Sequence, residues 1–187
     1  VVDFMYPVYE SLALVLMQNG NAAGAAEVLD RGEKAGRELS LIRLWARMAT
    51  TRVRLGLPAV RPVASPDADK RDLAFLEDEL LRFDAARLMH SPDPAPPELL
   101  HSLMDLSVRI CEQGNRFQGM RDRMTVVCLL EIGGDSDRAE KLMEEILPLC
   151  EASGMVQILK EGAASARSVA QRIVERLRRH PGTESTA

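Results

Sequence analysis

The chain has 187 residues, of which 46% are apolar, 28% are charged and only 4% are aromatic. This length is sufficient for one domain with a substantial core or for a short stack of repeats, and the apolar fraction excludes a disordered chain. The formal net charge of −4 excludes the overall basic surface that is typical of a nucleic-acid-binding domain. Few aromatic residues and many Leu, Ala, Met, Glu and Arg favour helices over a β-sandwich or barrel.

The first part of the chain predicts helices joined by short connections. Apolar residues recur at helical spacing over residues 6–19, 22–37 and 40–57. The turn at Gly20 is so short that the first two helices must pack antiparallel. We expect Ser40 to be the N-cap of the third helix and Gly56 to end it. Prolines then predict a loop break over residues 58–68, in the place of a shortened or lost partner helix.

The second part predicts further helices over residues 69–89, 98–113, 116–132, 137–152 and 163–179. The proline-rich segment 91–97 predicts a second loop break, with Pro97 in the first turn of the helix that follows. No stretch of any length predicts a strand. The sequence therefore predicts an all-α fold, as a single helical-repeat domain over residues 1–180 followed by a linker over 181–187.

Two distant stretches share one pattern of glycine, alanine and apolar residues. When residues 16–36 are aligned with residues 130–150, Gly20 falls on Gly134 and Ala25 falls on Ala139. Glycine permits the left-handed turn that ends one helix, and the small alanine lets the next helix pack closely against it. This spacing favours an irregular array of antiparallel helix hairpins, a superhelix of tetratricopeptide-like repeats.

The stretch "LLEIGGDSDRAEKLMEEILPLCEASGMVQILKEGAASARSVAQRI" resembles the end of the tetratricopeptide-like domain in large LuxR-family regulators of the MalT type. Those domains end in a G-D-x-x-R-A hairpin, a Gly-hydrophobic-Val segment, an acidic-Gly pair and an Ala-rich helix. Upstream, residues 7–32 fit the pattern loosely, and residues 58–110 fit it only as generic helices. The chain departs from the pattern at Met155, where an aromatic residue is usual, and at Lys160, where Asp is usual. The matching residues are Gly134, Asp135, Arg138, Ala139, Gly154, Met155, Val156, Glu161 and Gly162.

The resemblance implies an effector-sensing and oligomerisation domain of a transcriptional regulator. In such regulators, the helical array lies between an ATP-binding module and a helix-turn-helix module. It binds a small-molecule inducer or a regulatory protein and controls self-assembly. This chain has no G-x-x-x-x-G-K-[ST] phosphate loop, so ATP is expected only in a separate upstream module and no cofactor is expected here. We also expect no direct contact with nucleic acid, and the absent initiator Met indicates a fragment of a longer chain. The alternative is a stand-alone helical-repeat scaffold for protein–protein interaction.

Three arginines of the third predicted helix are the candidate ligand-binding residues. At about 100° per residue, Arg43, Arg47 and Arg54 fall on one stripe of that helix. Guanidinium groups match the geometry of carboxylates and phosphates, so this stripe is suited to an anionic effector. The first helices of such hairpins line the concave surface of an array, where ligands bind. The alternative, which the sequence favours, is a solvated face or pairing with Glu77 and Asp78 on a neighbouring helix.

For the other charged residues, the sequence predicts structural roles rather than ligand binding. The run Glu77-Asp78-Glu79 is expected to be a solvated face. Arg52 falls on the apolar side of the third helix, where it either extends to solvent or pairs with a buried acid, and the sequence does not choose. The arginines of the last helix are expected to complement the helix dipole rather than to bind nucleic acid.

The sequence favours neither catalysis nor metal binding. The three histidines, His90, His101 and His180, have no metal-ligand spacing on their own helix faces, and no nucleophile motif is present. The three cysteines have no CxxC pair and are expected to be buried thiols in a reducing cytoplasm. No apolar run approaches the roughly 18 residues of a membrane span, and no signal peptide is evident. We therefore expect a cytoplasmic chain that is not an enzyme.

Overall fold

The computed structural model describes residues 2–64, 69–152 and 164–179, and over these residues the chain is helical without a strand, which confirms the all-α prediction. The segment with Gly154, Val156 and Gly162, the residues of the predicted linker 181–187 and part of the 58–68 loop lie outside the described residues. The helices are α1 (Val2–Gln18), α2 (Ala22–Glu38), α3 (Ile42–Arg54), α4 (Lys70–Leu88), α5 (Pro97–Glu112), α6 (Arg116–Ile132), α7 (Ser136–Ala152) and α8 (Ala164–Arg179).

The chain forms two compact units, Val1–His90 and Ser91–Ala187. The first contains α1 to α4, and the second contains α5 to α8. The boundary falls at the start of the proline-rich segment, where proline prevents α4 from continuing. Pro97 occupies the first turn of α5, as the sequence predicts. No helix among the described residues is long and apolar enough to cross a membrane.

One turn geometry recurs after five of the helices. A residue with φ between 54° and 90° follows the helix, at Gly20, Ser40, Gly56, Gly114 and Gly134. The next N–H then donates a hydrogen bond of 2.7 to 3.0 Å to the carbonyl five residues earlier, as from Asn21 to Leu16. This is the pattern that satisfies the orphan carbonyls at a helix C-terminus. Four of the five positions are glycine, which adopts a positive φ without steric cost.

The prediction that Ser40 caps α3 is wrong. Ser40 takes the left-handed position of the turn after α2, with φ 54°, and the N-cap of α3 is Leu41, which has no side-chain capping hydrogen bond. The reason is the turn itself. Because the Leu41 N–H donates to the Gly36 carbonyl at 2.7 Å, Ser40 lies inside the closing loop of α2 and cannot reach the first turn of α3.

In the first unit, α2 and α3 pack very closely. A Cβ added at Gly36 would lie 2.7 Å from the backbone nitrogen of Trp45, so this crossing requires the absence of a side chain. The fully buried core where α1, α2 and α3 meet consists of Ala13, Ala25, Leu29, Leu44 and Met48. Small residues on α2 thus let the larger side chains of α3 fill the space between the helices.

Helices α3 and α4 run in the same direction. Arg43 at the start of α3 pairs with Asp72 at the start of α4. Gly56, just past the end of α3, faces the ring of His90, just past the end of α4. The segment between α3 and α4 must therefore run back along the length of α3. The described residues of this segment contain no helix.

In the second unit, α6 is the central helix and packs against α5, α7 and α8. A Cβ added at Gly119 would overlap Cys111 Sγ and lie 2.8 Å from the Ser107 carbonyl oxygen, so α5 and α6 cross as closely as α2 and α3 do. Almost the whole circumference of the C-terminal half of α6 is buried, from Val126 to Leu130. An all-round apolar helix of this kind is expected at the centre of a bundle.

Arginines attach α8 to its neighbours. Arg172 donates to Glu131 at 2.6 and 2.7 Å and to Glu140 at 2.6 Å. Arg176 donates to the second oxygen of Glu140 at 3.2 Å. The hydrogen bonds from Arg172 hold the pKa of the Glu131 carboxyl below its ordinary value. These two arginines therefore hold α8 against α6 and α7. The sequence had predicted only that the arginines of this helix complement its dipole.

Candidate functional site

The outer two arginines of the predicted stripe each contact a carboxylate on another helix. Arg43 Nε lies 2.9 Å from Asp72 Oδ1, and both side chains are about one-third exposed, at 34% and 32%. The Arg43 guanidinium also lies over the ring of Phe75, at 5.4 Å from its centroid. Arg54 Nη1 lies 3.7 Å from Glu10 Oε1, on α1. One end of the stripe thus contacts α4 and the other contacts α1.

Arg47, at the middle of the stripe, is buried. Its Nη1 donates to Glu79 Oε1 at 2.7 Å, and the same oxygen accepts from Arg82 Nη1 at 2.6 Å. The guanidinium of Arg47 lies 5.0 Å from the ring centroid of Tyr6 on α1. The side chains of Arg47 and Glu79 are 7% and 0% exposed. We call Arg47, Glu79 and Arg82 the buried charge cluster.

The charges of the cluster stabilise one another. Burial raises the pKa of the Glu79 carboxyl, but the positive charges of Arg47 and Arg82 outweigh burial and hold it below its ordinary value. Burial lowers the pKa of Arg47, but the carboxylates of Glu79 and Glu10 more than offset this effect. Both groups are therefore charged at neutral pH. Arg47 Nε and Glu79 Oε2 have no hydrogen-bond partner among the described residues, so the cluster retains a spare donor and a spare acceptor.

The arrangement ties α3 to α4 and α1. An anionic effector at this stripe would have to compete with the carboxylates that the arginines already hold, and at Arg47 it would also have to reach a buried group. Pairing with acids on a neighbouring helix was the alternative favoured by the sequence. The described partners of Arg43 and Arg47 are Asp72 and Glu79, in place of the expected Glu77 and Asp78.

The expectation that Glu79 belongs to a solvated face is wrong, since its side chain is fully buried. Glu77, two residues earlier on α4, is exposed. Positions two apart on a helix point to different sides, whereas positions seven apart share a face. The i, i+7 spacing of Asp72 and Glu79 was the signal that could have identified the face of α4 that meets Arg43 and Arg47.

Arg52 pairs with an acid rather than extending to solvent. Its Nη1 donates to Asp30 Oδ1 at 2.5 Å, its Nε donates to the Pro58 carbonyl at 2.7 Å, and Glu33 Oε1 lies 3.5 Å from Nε. Burial raises the pKa of the Glu33 carboxyl, and the charges of Arg52 and Arg37 offset only part of this effect. Arg52 therefore connects α2, α3 and the loop that follows α3.

That loop helps to form an open cleft of about 390 Å³ within the first unit. Its apolar lining includes Val53, Leu57 and Ala59, and its polar lining includes the side chains of Arg87 and His90 near the end of α4. From the sequence, His90 was not expected to bind a metal, because it has no metal-ligand spacing on its helix face. Among the described residues, no group of three or more His, Cys, Asp or Glu side chains is placed to hold a metal ion.

Comparisons with protein-family models, with curated proteins and with solved structures gave no match to this chain.

Proposed function

We propose that this chain is the effector-sensing and oligomerisation domain of a LuxR-family, MalT-type transcriptional regulator. The observation that carries the proposal is the hairpin between α6 and α7, where the family-like G-D-x-x-R-A motif lies. Gly134 adopts φ 81°, Asp135 Oδ1 accepts from the Arg138 N–H at 3.4 Å, and Asp135 Oδ2 pairs with the Arg138 guanidinium at 3.0 Å. Ala139 is completely buried. Each motif residue therefore has a role in closing the hairpin.

The same hairpin chemistry occurs at two other places, which supports a repeat array. After α1, Asn21 accepts from the Gly24 N–H at 2.9 Å, and the fully buried Ala25 follows. After α5, Asn115 accepts from the Gln118 N–H at 3.2 Å, and Gly119 lies at the position of closest approach. In all three hairpins a small residue stands five positions after the left-handed glycine. The copy at Gly114 was not predicted from the sequence.

The directions of the helices also support a superhelix of tetratricopeptide-like hairpins. Tyr6 on α1 contacts Arg47 on α3. Glu10, further along α1, contacts Arg54, further along α3. The residue numbers of the contacts therefore increase in the same direction along both helices. Helices α1, α3 and α4 therefore run in one direction, while α2 returns between the first two. In such an array, the loop after α3 takes the place of the helix that would return between α3 and α4.

The mechanism that we propose is a shift of equilibrium. An effector that binds one conformation better than another changes the populations of the inactive and assembled states by its difference in affinity. Catalysis is not part of the proposal, ATP binding is assigned to a separate module, and the location that we propose is the cytoplasm. The partners are a small molecule or a regulatory protein, together with other copies of the chain.

The test is the complete reading frame that contains this chain. A phosphate-loop motif upstream and a helix-turn-helix downstream are the expected results, because the regulator requires both activities. A start codon directly before Val1 together with a stop codon directly after Ala187 would refute the proposal. An effector panel follows, since a ligand at about 100 times its Kd raises the free energy of unfolding by about 2.7 kcal/mol.

An exposed apolar row on α1 favours the alternative, a stand-alone scaffold that binds a peptide or protein. Val8, Leu12 and Val15 are 66%, 47% and 51% exposed and lie on one side of the helix. Contiguous apolar surface of this kind is typical of protein contacts. A scaffold predicts that Leu12→Glu abolishes binding of an isolated protein partner and that no small molecule stabilises the chain. Stabilisation by a small molecule would contradict it.

A further inference from the structure

The cleft in the first unit combines an apolar lining with one guanidinium group and one imidazole ring. The apolar part includes Val53, Leu57 and Ala59, and the polar part includes the Arg87 guanidinium and the His90 ring. Its volume of about 390 Å³ lies within the roughly 300–1,000 Å³ that is typical of small-molecule sites. Every lining residue belongs to the first unit.

Two polar contacts hold the loop that forms one side of the cleft. Arg52 Nε donates to the Pro58 carbonyl at 2.7 Å. Further along the loop, Arg61 donates to both oxygens of Asp84 on α4, at 3.2 and 2.9 Å. This forked pair fixes both distance and orientation. Because the loop is tied to α3 at one point and to α4 at another, the cleft is defined by the fold and not by the loop alone.

The arginine at the cleft differs from those of the predicted arginine stripe. Arg87 and His90 are exposed, and neither side chain has an ion-pair or hydrogen-bond partner among the described residues. Arg43, Arg47 and Arg54, in contrast, each contact a protein carboxylate. Among the described residues, no carboxylate therefore competes with an incoming anion for Arg87.

We propose that this cleft is the effector site and that it binds a small organic monocarboxylate with a short apolar body. The carboxylate would be held by the fork of Arg87 with help from His90, and the apolar body would lie against Val53, Leu57 and Ala59. The guanidinium fork matches a carboxylate, and the apolar lining stabilises a carbon chain that would otherwise face water. The assignment as effector site rests on the proposed sensor function, whereas the binding itself does not.

The experiment uses the full 187-residue chain and three probes: hexanoate, hexanol and inorganic phosphate. Binding is followed by titration in heteronuclear NMR spectra. Hexanoate should shift the backbone amides of Gly56, Leu57 and Ala59, and it should bind at least about tenfold more tightly than either of the other probes, because only hexanoate uses both halves of the site. Equal binding of phosphate or of hexanol, or shifts confined to other residues, would overturn the proposal.

Substitutions test whether hexanoate binds at the cleft or at any exposed arginine. Arg87→Gln should raise the Kd for hexanoate about tenfold, since a hydrogen bond to a charged group is lost. Arg71→Gln is the matched control, because Arg71 is also an exposed arginine on α4 but lies at the other end of the helix and outside the cleft. Equal Kd values for the two variants would overturn the assignment of Arg87.

Sedimentation velocity then separates this proposal from the proposed function. If hexanoate binds in the cleft but leaves self-association unchanged, the cleft is a binding site but not the effector site. If hexanoate does not bind and another small molecule shifts self-association, the sensor function stands and the cleft proposal fails. A shift with hexanoate in the wild type and the Arg71→Gln variant, but not in the Arg87→Gln variant, supports both.

Discussion

Removal of the buried carboxylate of Glu79 should be the most destabilising single charge substitution in the first unit. Glu79 is the only described carboxylate that accepts from both Arg47 and Arg82, and its side chain is 0% exposed. Glu79→Gln would remove the buried carboxylate that accepts hydrogen bonds from both guanidinium groups. Breaking a buried pair from one side costs about 3–5 kcal/mol, which is a large share of the roughly 5–15 kcal/mol by which domains are stable.

Asp72→Asn is the matched control for this substitution. Asp72 lies on the same face of α4 and pairs with Arg43, but both side chains are about one-third exposed. Exposed pairs contribute about 0.2–1 kcal/mol, so this variant should remain within about 1 kcal/mol of the wild type. Both variants break an arginine–carboxylate pair. The difference between their losses in free energy of unfolding therefore measures the effect of burial on such a pair.

Urea unfolding monitored by tryptophan fluorescence is the assay. Trp45 is the only Trp and belongs to the first unit, so its signal reports the unit that contains the cluster. A Glu79→Gln variant within about 1 kcal/mol of the wild type, with an unchanged dependence on urea, would refute the reasoning. It would mean that the protein interior tolerates the two arginines without the carboxylate.

The pH dependence of the same variant provides an independent check. The folded-state pKa of Glu79 is lower than its ordinary value, so the unfolded chain binds more protons in the window between the two. The stabilisation by Glu79 is therefore fully present above the ordinary pKa of Glu, about 4.3, and is lost as pH falls below it. The difference in stability between wild type and Glu79→Gln should shrink as pH is lowered through this window.

The remaining predictions concern close packing, a turn and a second buried carboxyl. Gly119→Ala should lower the free energy of unfolding of the second unit by about 1–3 kcal/mol in thermal melts, because its Cβ would overlap Cys111 Sγ. Gly134→Ala should cost about 1–2 kcal/mol in the same assay, because φ is 81°, whereas Gly133→Ala, at φ −74°, should cost less; equal costs would contradict the turn argument. Burial raises the folded-state pKa of Glu33, so the wild type loses stability as pH rises from the ordinary pKa of Glu through this raised pKa. In urea unfolding, the stability of Glu33→Gln relative to the wild type should therefore increase over this range, and a difference that stays constant with pH would contradict this sign.

Local patterns in the sequence predicted the helices closely. Helix α6 spans Arg116–Ile132, as predicted, and the other described boundaries are within one or two residues of the prediction, except at the start of α1 and at the end of α3. The reason is that helical periodicity, glycine turns and prolines act over a few residues, so their effects can be read along the chain. Ser40 was misassigned because serine favours an N-cap in general, while the hydrogen bond from Leu41 to Gly36 placed it inside the preceding turn.

The sequence alone determined that the described part of the chain is all-helical, where most of its helices begin and end, and which arginines share a face of α3. Only the tertiary structure decided that Arg47 is buried with Glu79, that Arg52 pairs with Asp30, and that Arg87 and His90 lie at a cleft. Helical periodicity specifies the face on which a side chain lies, but not the helix that packs against that face. Burial, charge pairing and clefts depend on that neighbouring helix, which can be distant in the sequence. Glu79 on α4 pairs with Arg47 although it lies 32 residues further along the chain.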